Sequence, residues 1–439
     1  MRRKEIAVIV CTILICSTLV GCGMSIGGAK VKPINGAKVV NKQEIVEIEN
    51  IDDSYVNGLN EFAFQTFNKL EDGENVLISP YSITLALSML YNGADGDTRT
   101  EMAELFGYNM LDNYTKDYSE SSNNYMNANS KVLIDSLQKA DQKATISIAN
   151  SIWLAENAVF KDSAETALFS PVRAYYNGDI YQVDFEKEET LKQVNQWVSD
   201  KTEGMIDPFL EAFTDNLRLL LVNAIYFNGE WTVPFEPDKT IPTTFSGLDS
   251  TNEVDTMYMS EETYRYYSID GIRGLEIPYG NGRLVMDVLI PEDKNNTNIG
   301  ELYGALTSQD KSDFLNKLDS TDKTKVQSLA LPKFKIEYGM VELNKTLQDM
   351  GMKSAFEDSA NLDLIGDDLF VSLVGHTAKI EVEEWGTKAS AATVVETNTT
   401  AMPVETEPLN FLVNIPFIFL IRDTQTGTIL FMGEINDLK

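Results

Sequence analysis

Apolar and polar positions alternate in two rhythms along this chain. Leu59–Leu70 reads L-N-E-F-A-F-Q-T-F-N-K-L, with aromatic residues recurring at helical spacing, and Ser82–Asn92 is mostly apolar. Both stretches predict helices. Pro80 precedes the second and Gly93 follows it, the residue types expected at a helix start and just past a helix end. Farther on the rhythm changes. Ala144–Leu154 and Leu217–Phe227 read as strands, and the second is nearly continuous in apolar residues, as suits a strand covered on both faces. Phe370–Val382 predicts another strand. Phe411–Ile421 and Thr428–Ile435 predict a final pair around Asp423-Thr424-Gln425-Thr426-Gly427. Helices crowd the first third and strands the last, the pattern of an α+β domain built on large sheets.

No linker-like break follows residue 52. The polar stretch Asp112–Ser130 precedes a helical pattern at Val132, Leu133 and Leu137, and reads as a surface excursion within one domain, residues 51–439. The N-terminus differs in kind. Met1-Arg2-Arg3-Lys4 is basic, and Ile6–Val20 is apolar apart from small polar residues. At about 15 residues this run is short of the roughly 20 that span a bilayer, and it fits a signal peptide over residues 1–21. It ends in Leu19-Val20-Gly21-Cys22, which resembles the bacterial lipobox, whose cysteine receives diacylglycerol. Lipidation is expected at Cys22. Residues 22–50 carry Gly-Gly, Pro, Asn-Gly and alternating charge, and read as a tether. The expected location is the extracellular face of the cell membrane.

Composition narrows the function. All three cysteines (Cys11, Cys16, Cys22) lie in the leader, so the body has no disulfide and must rely on a large core. The formal charge of −31 argues against nucleic acid, which is bound by neutralising phosphates. A single histidine, His376, excludes a His-rich zinc site and leaves one position around which a Ser-His-Asp enzyme would have to be built. Read alone, His376 is better explained as a satisfied core residue. No cofactor is expected.

Four separated blocks then appear in order. They are N-V-L-I-S-P-Y-S-I-T-L-A-L-S-M-L-Y-N-G-A-D-G-D-T-R-T-E at Asn75–Glu101, N-A-I-Y-F-N-G-E-W at Asn223–Trp231, L-P-K-F-K-I at Leu331–Ile336, and the C-terminal F-I-F-L-I-R-D-T-Q-T-G-T-I-L-F-M-G-E-I. Together they resemble the serpin family, from about Ile51 to Lys439. The resemblance implies a single-domain serpin fold with three β-sheets, eight to nine helices and an exposed reactive-centre loop at about 384–410. It also implies a monomer that is not an enzyme.

Within that loop Thr387, Ala389, Ala391, Thr393 and Val395 fall on one face at period two. All are small or β-branched, and no proline interrupts them. Such a segment can lie exposed as a loop yet slide into a sheet as a new strand. In the family this is the hinge, beginning at Glu384, with Gly386 supplying backbone freedom where the strand turns. The resemblance implies that a protease attacks the loop, forms an acyl-enzyme, and is trapped when the cleaved loop inserts. Ser79, Ser82, Asn223 and His376 match a polar cluster beneath the opening sheet. Lys333 and Glu384 match an ion pair at its top, with Trp231 nearby.

The chain departs from the family pattern in two places. Trp385 stands where a polar residue is usual, and the loop between Glu384 and Pro416 is longer than usual. Counting the family's spacing of 17 residues from Glu384 ends at Thr400, so the expected cleaved bond is Thr400-Ala401. Thr399-Thr400 and Ala401-Met402 are the alternatives, and Pro403 argues against a cut after Met402. Small residues at the bond suggest an elastase-like or subtilisin-like serine protease as partner. The competing reading is a non-inhibitory member acting as a binding or chaperone-like module. A hinge containing proline or bulky residues would favour it.

Overall fold

The computed structural model describes residues 32–33, 46–111, 120–214, 216–293, 298–387 and 409–439, all within the compact unit Val31–Lys439. Asp52 opens the first helix by accepting a hydrogen bond from the Ser54 amide (2.8 Å), and the chain stays helical over Asp53–Leu70. Such a cap satisfies one of the amides orphaned at a helix start. The next helix, Pro80–Tyr91, is buried along its whole length. A helix with no polar face belongs inside. It packs beneath the strands Ala144–Ala155 and Leu219–Glu230. Nine α-helices lie among the described residues.

Among the described residues the main sheet has seven strands. In spatial order they are Lys32–Pro33, Asp179–Val183, Ala144–Ala155, Leu219–Glu230, Gly386–Thr387, Leu373–Glu383 and Phe334–Glu342. The family resemblance implies two further sheets, and among the described residues backbone pairing joins these into one sheet of nine strands, eight along a single path with Thr240–Ser246 beside it. Thr251–Ile269 makes the junction. It is long enough to pair with Thr240–Ser246 and Lys323–Pro332 and, at its far end, with Ile272–Pro278.

Phe411–Ile421, expected as one strand, is two. Leu409–Leu412 pairs parallel with Lys323–Pro332, while Phe417–Asp423 runs between Leu284–Pro291 and Ile429–Ile435. Pro416 has no amide hydrogen to continue a ladder, and the chain changes neighbours there. The expected surface excursion is also corrected, because Glu120–Leu137 is a single helix that buries Asn123, Asn127, Asn129 and Ser130. Asn127 and Asn92 exchange hydrogen bonds of 3.0 and 2.7 Å, and the Tyr176 hydroxyl donates to Asn127 (2.8 Å). Buried polar groups need partners, and these find one another only after folding.

Candidate functional site

Leu219–Glu230 and Leu373–Glu383 run parallel at the centre of the main sheet. They pair directly only from Leu220 and Leu373 to Ala224 and Thr377. Above that point they part. The chain leaves Leu373–Glu383, reverses through Glu384 and Trp385, and descends between the two strands as Gly386–Thr387, antiparallel to both. Gly386 faces Glu383 and Glu230, and Thr387 faces Val382 and Gly229. The reversal is clamped from one side. The Trp231 amide donates to the Trp385 carbonyl (2.9 Å), the Trp231 indole to the Glu383 carbonyl (2.9 Å), and the Phe235 amide to the Glu384 carbonyl (2.8 Å).

Gly386 has a φ of 148°, and a Cβ there would collide with the carbonyl oxygen of Gly229. Only glycine fits. Thr387 is fully buried, its hydroxyl 2.6 Å from that of Tyr279. Both residues are thus in the sheet rather than in the exposed loop where the sequence placed them. Where two strands part they leave backbone groups unpaired, and a third strand satisfies them. Ala389, Ala391, Thr393, Thr400, Ala401 and Cys22 lie outside the described residues.

Above the reversal, Lys333 Nζ lies 2.9 Å from Glu384 and 3.7 Å from Glu383, and the Thr240 hydroxyl donates to Glu384 (2.8 Å). Burial alone would raise the Glu384 carboxyl. The hydrogen bonds from Lys333 and Thr240 outweigh it and hold the group below the usual carboxylate range. Trp231 stacks on Tyr279, with ring centroids 4.4 Å apart and planes within 12°. Sequence reasoning found Lys333, Glu384 and Trp231 but missed Thr240 and Tyr279.

Below, where the two strands still touch, four expected residues come together. His376 and Asn223 are Cα partners, and Nδ1 of His376 lies 3.1 Å from the Asn223 side-chain oxygen. Nε2 of His376 accepts from the Ser79 amide (3.1 Å). The Asn223 side-chain nitrogen in turn shares its two hydrogens among the Ser82 hydroxyl, the Ser82 carbonyl (2.7 Å) and the Asn150 side-chain oxygen (2.6 Å). The arrangement uses both ring nitrogens of a neutral imidazole, Nδ1 as donor and Nε2 as acceptor. Burial pushes its pKa down to about 3. The Ser79 hydroxyl donates to the Leu430 carbonyl (2.6 Å) and not to the ring. The imidazole therefore activates no serine. Asn150 was missed, although a lone amide in an apolar strand is the same signal that marks Asn223.

A family model described as Serpin (serine protease inhibitor) matches residues 57–438. The chain belongs to the serpin family. Iripin-2 of Ixodes ricinus is 33% identical over 387 residues, spanning 86% of this chain and 92% of that protein. A serpin-like protein of Thermococcus kodakarensis is 31% identical over 390 residues, spanning 88% and 86%. The crystal structure of the thermophilic serpin tengpin in its native state matches with a TM-score of 0.78 and 30% identity, covering 93% of this chain and all of that one. Tengpin in the latent state gives 0.72, also at 30% identity, with 90% of this chain covered. Serpins are non-enzymatic inhibitors and binders that target proteases, and this serpin is not an enzyme.

Proposed function

We propose that this serpin is a suicide-substrate inhibitor of serine endopeptidases with a preference for small residues, elastase-like or subtilisin-like. One observation carries the reading: Gly386–Thr387 already pairs between the two central strands, in the direction a longer inserted strand must follow. The protease serine attacks the Thr400 carbonyl, the bond to Ala401 breaks, and the departing Ala401 amine takes up a proton. An ester now joins protease and inhibitor. The freed loop extends the two-residue strand downward, completing ladders on both sides and burying the row that begins at Thr387. The ester is carried away from water before hydrolysis. Absence of proline from residue 386 to residue 402 supports this over the binding-module reading.

The test is incubation with elastase-, subtilisin- and trypsin-like proteases, read for gel-stable covalent complexes and for the mass of the released C-terminal peptide. A peptide beginning at Ala401 is expected. Cleavage without any complex would reject inhibition, and a peptide beginning before Thr400 or after Met402 would reject the register. The protein works as a monomer, held at the outer face of the cell membrane by lipid on Cys22. Cys22→Ala should shift it from the membrane fraction to the medium; equal partitioning of the two forms rejects the anchor.

A further inference from the structure

Tyr279 directly follows the strand Ile272–Pro278 of the other sheet, yet its ring reaches the underside of the main sheet. Trp231 stacks on one face, and Phe227 meets it edge-on, with centroids 4.9 Å apart and planes at 76°. The Tyr279 amide donates to Leu284, and the neighbouring Gly280 amide donates to Glu230, tying its backbone to both sheets. A Cβ on Gly229 would crowd the rings of Phe227 and Tyr279, so glycine at that position lets the phenol come up beneath the hinge. Gly229 is the residue paired with Thr387. The phenol is therefore a fixed group beneath the first inserted side chain, and both residues of this contact, Tyr279 and Thr387, are fully buried.

We propose that Tyr279 is the positioning residue for the hinge: its hydroxyl seats Thr387 before any protease arrives and sets the register from which the loop inserts. The inference rests on the inhibitory reading above. Starting a strand orders residues before many bonds are made, whereas extending one adds pairs to an existing ladder, so a docked first pair removes the slow beginning of insertion. Removing either hydroxyl breaks the bond between them, and removing both breaks the same bond, so the two losses should not add. Insertion speed decides how many inhibitor molecules are consumed as substrate for each protease trapped.

Three variants test this: Tyr279→Phe, Thr387→Val, and the two combined. The first readout needs no protease, being hydrogen exchange at the Gly386 and Thr387 amides of the uncleaved full chain. Each single variant should exchange about tenfold faster there, and the double variant no faster than the faster single. The second readout is the stoichiometry of inhibition alongside the rate of loop cleavage. Stoichiometry should rise several-fold in each single variant and no further in the double, with the cleavage rate unchanged throughout. Equal exchange in wild type and Tyr279→Phe overturns the proposal, as does a double variant whose effect is the sum of the singles'. Protected amides in a wild-type protein that forms no covalent complex would uphold the docking and reject the inhibitory reading, so the two failures are separable.

Discussion

His376 and Asn223 stand side by side near the upper end of the parallel ladder joining the two central strands, just below the place where those strands part for the hinge. An inserted strand that extends down past Ala224 and Thr377 must separate them. Their hydrogen bonds, to each other and through Ser79, Ser82 and Asn150 to the helix and strand around them, oppose that separation.

Asn223→Ala should loosen this latch. It strips partners from His376, Ser82 and Asn150, each buried, at a cost of about 1–3 kcal/mol per orphaned group. The expected outcome is a lower melting temperature and faster loss of inhibitory activity on warming, as the uncleaved loop enters the sheet. Activity that decays at the wild-type rate would show that Asn223 does not restrain the strands.

The same cluster predicts a pH dependence. The His376 imidazole is held down to about 3 by burial, while the unfolded chain takes up its proton near the ordinary value of about 6.5. The unfolded state binds more protons between those values, so stability is fully present above the unfolded value and is lost as pH falls through the window. Denaturant midpoints of wild type and His376→Gln, measured from pH 7 to pH 4, should converge on acidification. Parallel curves would contradict the assignment.

Glu434 should act in the opposite direction. It is fully buried and takes part in none of the ion pairs among the described residues, and burial followed by the like charge of Glu71 pushes its carboxyl up to about 7. The unfolded chain releases this proton near 4.3, so stability is present below that value and falls as pH rises to about 7. Glu434→Gln should be more stable than wild type at pH 8 by on the order of 2 kcal/mol, with little difference at pH 4. A variant less stable at both pH values would mean that the carboxylate is needed.

Thr387→Arg tests insertion itself. The side chain would have to enter a space already filled by Tyr279, Trp231 and Phe227, where an unpaired charge costs several kcal/mol. Each 1.36 kcal/mol is about tenfold in rate, so insertion should slow by orders of magnitude. The loop should be cut at the same bond and speed, active protease should be released, and no covalent complex should form. Loop cleavage should raise the melting temperature of wild type by tens of degrees and that of the variant far less. Undiminished inhibition by the variant would rule out loop insertion.

Local pattern carried much of this protein. The aromatic spacing in Leu59–Leu70 and the Pro80 start placed the first helices, and the apolar run after Leu217 placed the central strand, because periodicity and caps are properties of neighbouring residues. The four ordered blocks carried the family, and with it His376, Asn223, Lys333 and Glu384. What the sequence left out depends on contacts between residues far apart in the chain. Asp112–Ser130 looked like a loop because its asparagines are polar, yet Asn123 and Asn127 are buried against partners such as Asn92 and Tyr176. Trp385 and Thr387 looked like exposed loop residues, yet the parting of two strands more than a hundred residues apart in sequence opens the space that Thr387 fills. Tyr279 carried no local signal at all. Its role arises where two sheets, a glycine at 229 and a hydroxyl at 387 converge, and only tertiary packing brings those atoms within hydrogen-bonding distance.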